Sequence, residues 1–339
     1  MSGESSTEAL VDVDRLVEWL RASGLTPSGP IVVSPLTGGA SNAMFVVRDD
    51  EHEWVLRRPA KVAIARADEG MRREFHILRA LADTDVPHPE VVALCEDHDV
   101  LGCTFYLMRR IDGFNPMPGS LPVGFETSAK RTELTFAMVD ALARLHEVDW
   151  RARGLSEFDR TDGFHERQVA RWKGQLDSYG GRELAGTDSV ITWLEANAPG
   201  SFTPTIMHGD YHMMNVLLVA DPHPRVSAIL DWETATIGDP LLDLAGFGEI
   251  WTKLATPADG WPTRAEIIER YCERRNLAVV PDLRPREVLY NFRMAVLLEG
   301  IYQRSLRDPT RGAMETIGDQ AARFMERASE LADRGDARP

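Results

Sequence analysis

Over the first third of the chain, short apolar runs are broken by turn residues. Over the remainder, apolar positions recur every three or four residues. "IVVSPL" (31–36), "AMFVVRD" (43–49), "EWVLRRP" (53–59), "EVVALCE" (90–96) and "TFYLMRR" (104–110) predict short antiparallel strands, with Asp49–Asp50–Glu51 as one polar turn. Two helices accompany them. One follows Val13, Leu16, Val17 and Leu20 and stops at Gly24; the other runs through "ARADEGMRREFHILRALADTD" (65–85). "IDGFNPMPGSLP" (111–122), rich in Gly and Pro, reads as a linker. Helical patterns dominate beyond it, over 130–148, 163–179, 188–198, 264–276 and 285–308. Strands followed by helices predict an α+β chain in two lobes, 1–108 and 109–339.

Among those helices lies "HGDYHMMNVLLVADPHPRVSAILDWE" (208–233), a predicted hairpin whose strands "NVLLVA" and "RVSAIL" are joined by Asp221, Pro222, His223 and Pro224. A turn centred on His223 sets Val216 opposite Leu230 and Asn215 opposite Asp231, so an amide and a carboxylate stand together at the open end. Hard cations take oxygen ligands of this kind, and Mg²⁺ combines few protein ligands with phosphate and water. Asp210 lies five residues before Asn215. The order His-x-Asp-x-x-x-x-Asn, then Asp after an apolar strand, supplies a base and two metal ligands for phosphoryl transfer, which needs alignment and charge neutralisation. Singly, each of these residues is also an ordinary turn residue. His208 and His212 raise zinc hydrolysis, but no Glu follows the first His and Gly209 interrupts the segment. His208 reads better as a group that pins the loop.

Composition narrows the class. With 339 residues, 43% apolar and 27% charged, the chain is an ordinary globular one. A formal charge of −15 argues against a general nucleic-acid binder. Cys95, Cys103 and Cys272 form no CxxC pair and no disulfide framework, which favours a reducing compartment. The opening MSGESSTEAL has no leader-like core, and no apolar run approaches the ~20 residues of a membrane helix. A cytoplasmic protein without membrane or nucleic-acid partners is expected. Oligomeric state is not encoded in any pattern found.

Together, "HGDYHMMN", "ILDWETATIGDPLLDLA", "GGASN" and "REFHIL" resemble the aminoglycoside phosphotransferase and choline kinase superfamily, over roughly residues 30 to 310. That resemblance implies a bilobal, protein-kinase-like fold with a small antiparallel-sheet lobe and a larger helical lobe. It also implies an ATP- and Mg-dependent small-molecule kinase, with GTP as the alternative nucleotide and a small hydroxyl compound as acceptor. By position, Asp210 resembles the base, Asn215 and Asp231 the metal ligands, and Asp239 a brace for the catalytic loop. "LTGGASNAMFVV" resembles the phosphate loop, with Ser41 and Asn42 as donors, although the G-x-G-x-x-G spacing is absent. Where protein kinases carry Lys, this chain offers Arg57 and Arg58, with Lys61 beyond. Relatives with Arg at that place favour Arg57, and strand alternation directs only one of the pair inward.

Glu74 interrupts an apolar helical stripe of Met71, Leu78 and Leu81 and is the expected partner of Arg57. "FYLMRRIDG" resembles the hinge, with Met108 at the rear of an adenine pocket and backbone groups near Arg109 and Ile111. Arg293 and Arg304, three helical turns apart, hint at an anionic acceptor. "GDPLLDLA" and "EGIYQRSL" resemble the kinase-like domains joined to some acyl-CoA dehydrogenases, which favours a hydroxyacid or hydroxyacyl acceptor over an aminoglycoside. A nucleotide-binding module without turnover is the competing function, motivated by Arg in place of Lys.

Overall fold

The computed structural model describes residues 10–36, 42–60, 67–220, 223–307 and 314–334. Ser41 and Lys61, two of the phosphate-loop and cation candidates, lie outside the described residues. The predicted strands form one antiparallel sheet in the order β1–β2–β3–β5–β4. They are β1 (Val32–Leu36), β2 (Asn42–Arg48), β3 (Glu53–Pro59), β4 (Val91–Cys95) and β5 (Phe105–Arg109). Alternation assigns their faces. Phe45, Val47, Trp54, Leu56, Phe105 and Leu107 pack with Leu16 and Leu20 of helix α1 (Val13–Ala22) in one apolar core. Arg57 leaves β3 on the opposite face, toward helix α2 (Ala67–Ala80), whose buried stripe is Met71, Glu74, Phe75, Ile77 and Leu78. A single turn, α3 (His98–Leu101), precedes β5.

Four further strands make two small antiparallel ladders. β6 (Thr205–Met207) pairs with β9 (Thr236–Gly238), and β7 (Val216–Val219) pairs with β8 (Arg225–Ile229). The remaining helices are α4 (Ser128–Leu145), α5 (Phe164–Tyr179), α6 (Thr187–Ala196), α7 (Leu241–Leu254), α8 (Arg264–Arg274), α9 (Arg284–Arg307) and α10 (Glu315–Asp333). Trp172, Val190, Leu194, Phe292, Val296, Met325 and Ala328, drawn from α5, α6, α9 and α10, share the second apolar core. Polar caps fix the helix starts: Thr127 accepts from the Lys130 amide, and Thr263 with Glu266 closes a capping box. Among the described residues, no helix is long and apolar enough to cross a membrane.

Compact units divide the chain differently from the expected 108/109 boundary. One unit comprises 1–122, 148–156 and 213–235; the other comprises 123–147, 157–212 and 236–339. The reason is visible at the supposed linker, which pairs with the β7–β8 hairpin. Phe114 and Leu218 exchange two backbone bonds of 2.9 Å. Asn115 Nδ2 donates to the Met214 and Val216 carbonyls at 2.9 and 2.8 Å, and Ser227 Oγ donates to the Asp112 carbonyl at 3.1 Å.

Gly113 lies at the closest approach. A Cβ there would meet the Leu218 carbonyl oxygen at 2.8 Å and Leu217 Cβ at 2.9 Å. Gly113→Ala is therefore expected to lower stability by roughly 1–3 kcal/mol, the usual cost of overpacking against groups that cannot yield. Chemical denaturation measures it, and an unchanged midpoint would show that the segment yields.

Candidate functional site

The sheet unit contains a buried cation with three acids around it. Neighbours of Arg57 in register are Met44 on β2 and Tyr106 on β5. Its Nε donates to Glu74 Oε2 at 2.8 Å and its Nη2 to Asp231 Oδ1 at 2.8 Å, while Glu233 Oε2 lies 3.7 Å away. Tyr106 donates its hydroxyl to Glu74 Oε2 at 2.9 Å. Glu74 is 1% exposed and Arg57 6%. Burial opposes the arginine's charge, but Glu74, Tyr106 and Asp231 outweigh it and raise its pKa, so it stays a cation. Burial pushes the Glu74 carboxyl up against the pull of Arg57 and Tyr106. Arg58 is also buried, but its guanidinium turns to the Leu10 and Pro59 carbonyls.

The hairpin brings Asn215 and Asp231 to this cation by a register one residue from the expected one. Val216 faces Ile229, and the Leu230 amide donates to the Asn215 carbonyl at 2.8 Å. A bulge at Leu217/Leu218 shifts the pairing, so a count from the turn misplaces the open end. Asp231 therefore lies beyond the ladder. Its backbone is left-handed, φ 62° and ψ 66°, and its carboxylate is 40% exposed.

Both residues line a cavity of about 550 Å³ with Arg57, Asn42, Met108 and Ile111. An amide oxygen and a half-exposed carboxylate suit a magnesium ion that keeps most of its ligands from phosphate and water. Arg109 also lines the cavity, but its amide already donates to the Glu90 carbonyl at 2.8 Å and its guanidinium pairs with Glu90 at 2.7 Å. Its N–H is therefore already committed within the sheet unit. Glu233, two residues after Asp231, was not singled out in the sequence. It accepts from Asn42 Nδ2 at 3.0 Å, and its carbonyl accepts from Arg73. An acid two places after Asp231 in "DWE" was the available signal.

Asp210 belongs to the helical unit, with His208 and His212. Its amide donates to His208 Nδ1 at 3.3 Å, and His212 Nε2 lies 3.4 Å from its Oδ2. Burial would raise the Asp210 pKa, but His212, Arg293 and His208 together hold it below the usual carboxylate value. The loop is braced by Asp243, not by Asp239. Asp243 accepts the His208 and Gly209 amides, both at 2.7 Å, and His146 Nε2 lies 3.2 Å away with its Nδ1 2.7 Å from the Tyr271 hydroxyl. Sequence spacing could not choose between two acids in "GDPLLDLA"; helix α7 decides, because Asp243 lies inside it and is buried. Among the described residues, no three His, Cys, Asp or Glu side chains assemble as a metal site, so the zinc alternative has no ligand set there. Arg293 is half-buried with its guanidinium 5.6 Å over the Trp172 ring, whereas Arg304 is exposed, so the two do not share an environment.

Asp239 instead joins His165 Nε2 at 3.0 Å, Arg286 Nε at 2.7 Å and the Leu241 amide at 3.0 Å. Burial would raise its pKa, but these partners lower it. A depressed folded pKa contributes stability above the unfolded value of about 4, and that contribution disappears as pH falls through the folded value. Asp239→Asn should cost roughly 3 kcal/mol at pH 7. It should also flatten the loss of stability between pH 5 and pH 2. Denaturation midpoints across that range test it; a parallel acid limb in the variant would show that other carboxylates govern acid unfolding.

The phosphotransferase enzyme family is matched over residues 32–283. Acyl-CoA dehydrogenase family member 10 of Mus musculus is 31% identical, over 94% of this chain and 30% of its own length. With family member 11 of Gallus gallus, 32% identical over 83% of this chain and 38% of its own, it shows that the chain spans about a third of the curated relatives it matches. A crystal structure from Ralstonia eutropha, provisionally named an aminoglycoside phosphotransferase, superposes with a TM-score of 0.82 at 29% identity, over 95% of this chain and 98% of that one. The α+β, protein-kinase-like fold expected from the sequence is the fold of this chain.

Proposed function

The chain belongs to the phosphotransferase enzyme family, and on that premise we propose that it transfers the terminal phosphoryl group of ATP, with magnesium, to a hydroxyl of a small molecule. The observation that carries this reading is the cavity of about 550 Å³ lined by Arg57, Asn215 and Asp231 together with Met108 and Ile111. Asn215 and Asp231 would hold the ion, which when bound neutralises phosphate charge. Arg57, fixed by Glu74 and Tyr106, presents a guanidinium whose Nη1 contacts only the Met44 sulfur, at 3.8 Å, among the described residues. A planar fork held in one orientation suits a phosphate oxygen. The apolar side chains of Leu78, Met108 and Val55 suit an adenine face. APH(4)-Ia, a fold relative with TM-score 0.56 at 18% identity over 95% of this chain and 99% of that one, has been crystallised with AMP-PNP and hygromycin B.

Asp210, held as a carboxylate, would take the acceptor's proton as the oxygen attacks phosphorus. The acceptor proposed first is a hydroxyacid or hydroxyacyl compound, because Arg293 lowers the Asp210 pKa and could meet an anionic end; an aminoglycoside is second. The test incubates the protein with Mg-ATP and a panel of both classes, and scores ADP and phosphorylated product by mass spectrometry. Product from a hydroxylated acid is the expected result. Nucleotide binding by calorimetry without product from any acceptor would overturn turnover and leave a binding module.

A further inference from the structure

We propose that Lys253 is a modification site, an amine more reactive toward acyl thioesters than Lys130 and Lys173. Four lysines occur in the sequence: Lys61, Lys130, Lys173 and Lys253. Lys130 Nζ is paired with Glu133 at 2.7 Å and Lys173 Nζ with Asp177 at 2.8 Å, and the second pairing raises the Lys173 pKa. Lys253, near the end of α7, has no carboxylate within ion-pair distance among the described residues, yet it remains accessible to solvent. Its ammonium lies 3.3 Å over the Phe324 ring of α10.

The acid one turn earlier on its own helix, Glu249, is already engaged. Glu249 accepts from Arg327 Nε and Nη2 at 3.1 and 3.2 Å and from Asn291 Nδ2 at 3.0 Å. From α10, then, Lys253 faces a ring and a like charge, Arg327. The ring face attracts an ammonium. It also removes water from one side, and an amine so placed beside a cation loses its proton more readily. Burial, with Arg327 and against Glu249, lowers the Lys253 pKa to about 8.

The step is an ordinary acyl transfer. The neutral nitrogen attacks the thioester carbonyl carbon, a C–N bond forms, the C–S bond breaks, and the sulfur leaves as thiol with the proton shed by nitrogen. At pH 7 an amine of pKa about 8 is neutral roughly a hundredfold or more as often as one near 10.4, a gain that its lower basicity only partly offsets. The test labels the whole folded chain with trace S-acetyl-N-acetylcysteamine from pH 6 to 11 and measures acetylation of each lysine by peptide mass spectrometry. Lys253 should react at least about tenfold faster than Lys130 and Lys173 at pH 7, with a midpoint near 8. Equal rates at pH 7, or a Lys253 midpoint that coincides with the other two, would overturn the proposal.

Discussion

Arg57→Ala should cost about 3–5 kcal/mol of stability, the penalty for leaving a buried charge without its partner. Glu74 would remain 1% exposed with only the Tyr106 hydroxyl to face it. Against a total stability of roughly 5–15 kcal/mol, such a loss empties much of the folded population at 37 °C. Nucleotide affinity should fall with it, but the two effects separate in a double variant. Arg57→Met with Glu74→Leu removes both charges and fills the space with apolar groups, a change that is often neutral or stabilising. We expect the double variant to regain most of the thermal stability and none of the Mg-ATP binding. Calorimetry on the refolded double variant decides: binding at the wild-type level would remove Arg57 from the phosphate site. Arg57→Lys keeps a charge but not the fork that reaches Glu74 and Asp231 together, and should fall between the two.

A second large effect is expected at Asp210. Asp210→Asn keeps the shape and the amide bond to His208 but removes the carboxylate. Turnover should fall by about 10²–10⁴-fold, the range a positioned general base supplies. Mg-ATP affinity should be unchanged, since Arg57, Asn215 and Asp231 belong to the other compact unit. Because the Asp210 pKa lies below the ordinary carboxylate value, the wild-type rate should hold as pH falls through 5 and decline only in stronger acid. A variant with normal turnover would assign proton transfer elsewhere.

Much of the architecture was legible because two periodicities carry it. Strand alternation in "EWVLRRP" separates Arg57 from Arg58, and the helical stripe around Glu74 marks it as a buried acid in want of a cation. What stayed hidden was not periodic. Helix α7 is buried around nearly its whole circumference, through Asp243, Gly246, Phe247 and Glu249, so it shows no polar face to mark it. Helix α10 is the exception, with a regular buried stripe of Ala321, Phe324, Met325, Ala328 and Leu331 that was legible but not among the expected elements. The β7–β8 bulge moves Asp231 by one residue, and no local signal in "RVSAIL" reports it. Glu233 and Asp243 act through partners 191 and 35 residues away in sequence, Asn42 and the His208 amide, and one sequence alone does not reveal such pairs.

The interleaving of the two compact units bears on how the chain can be engineered. The backbone passes from one unit to the other after residues 122, 147, 156, 212 and 235, five times in all. No single nick yields two autonomous fragments, and a chimera that swaps one half for that of a homologue must graft three separate stretches at once. Split reporters and domain-shuffling libraries that sever the polypeptide at the first of these crossings, after residue 122, should therefore give insoluble pieces.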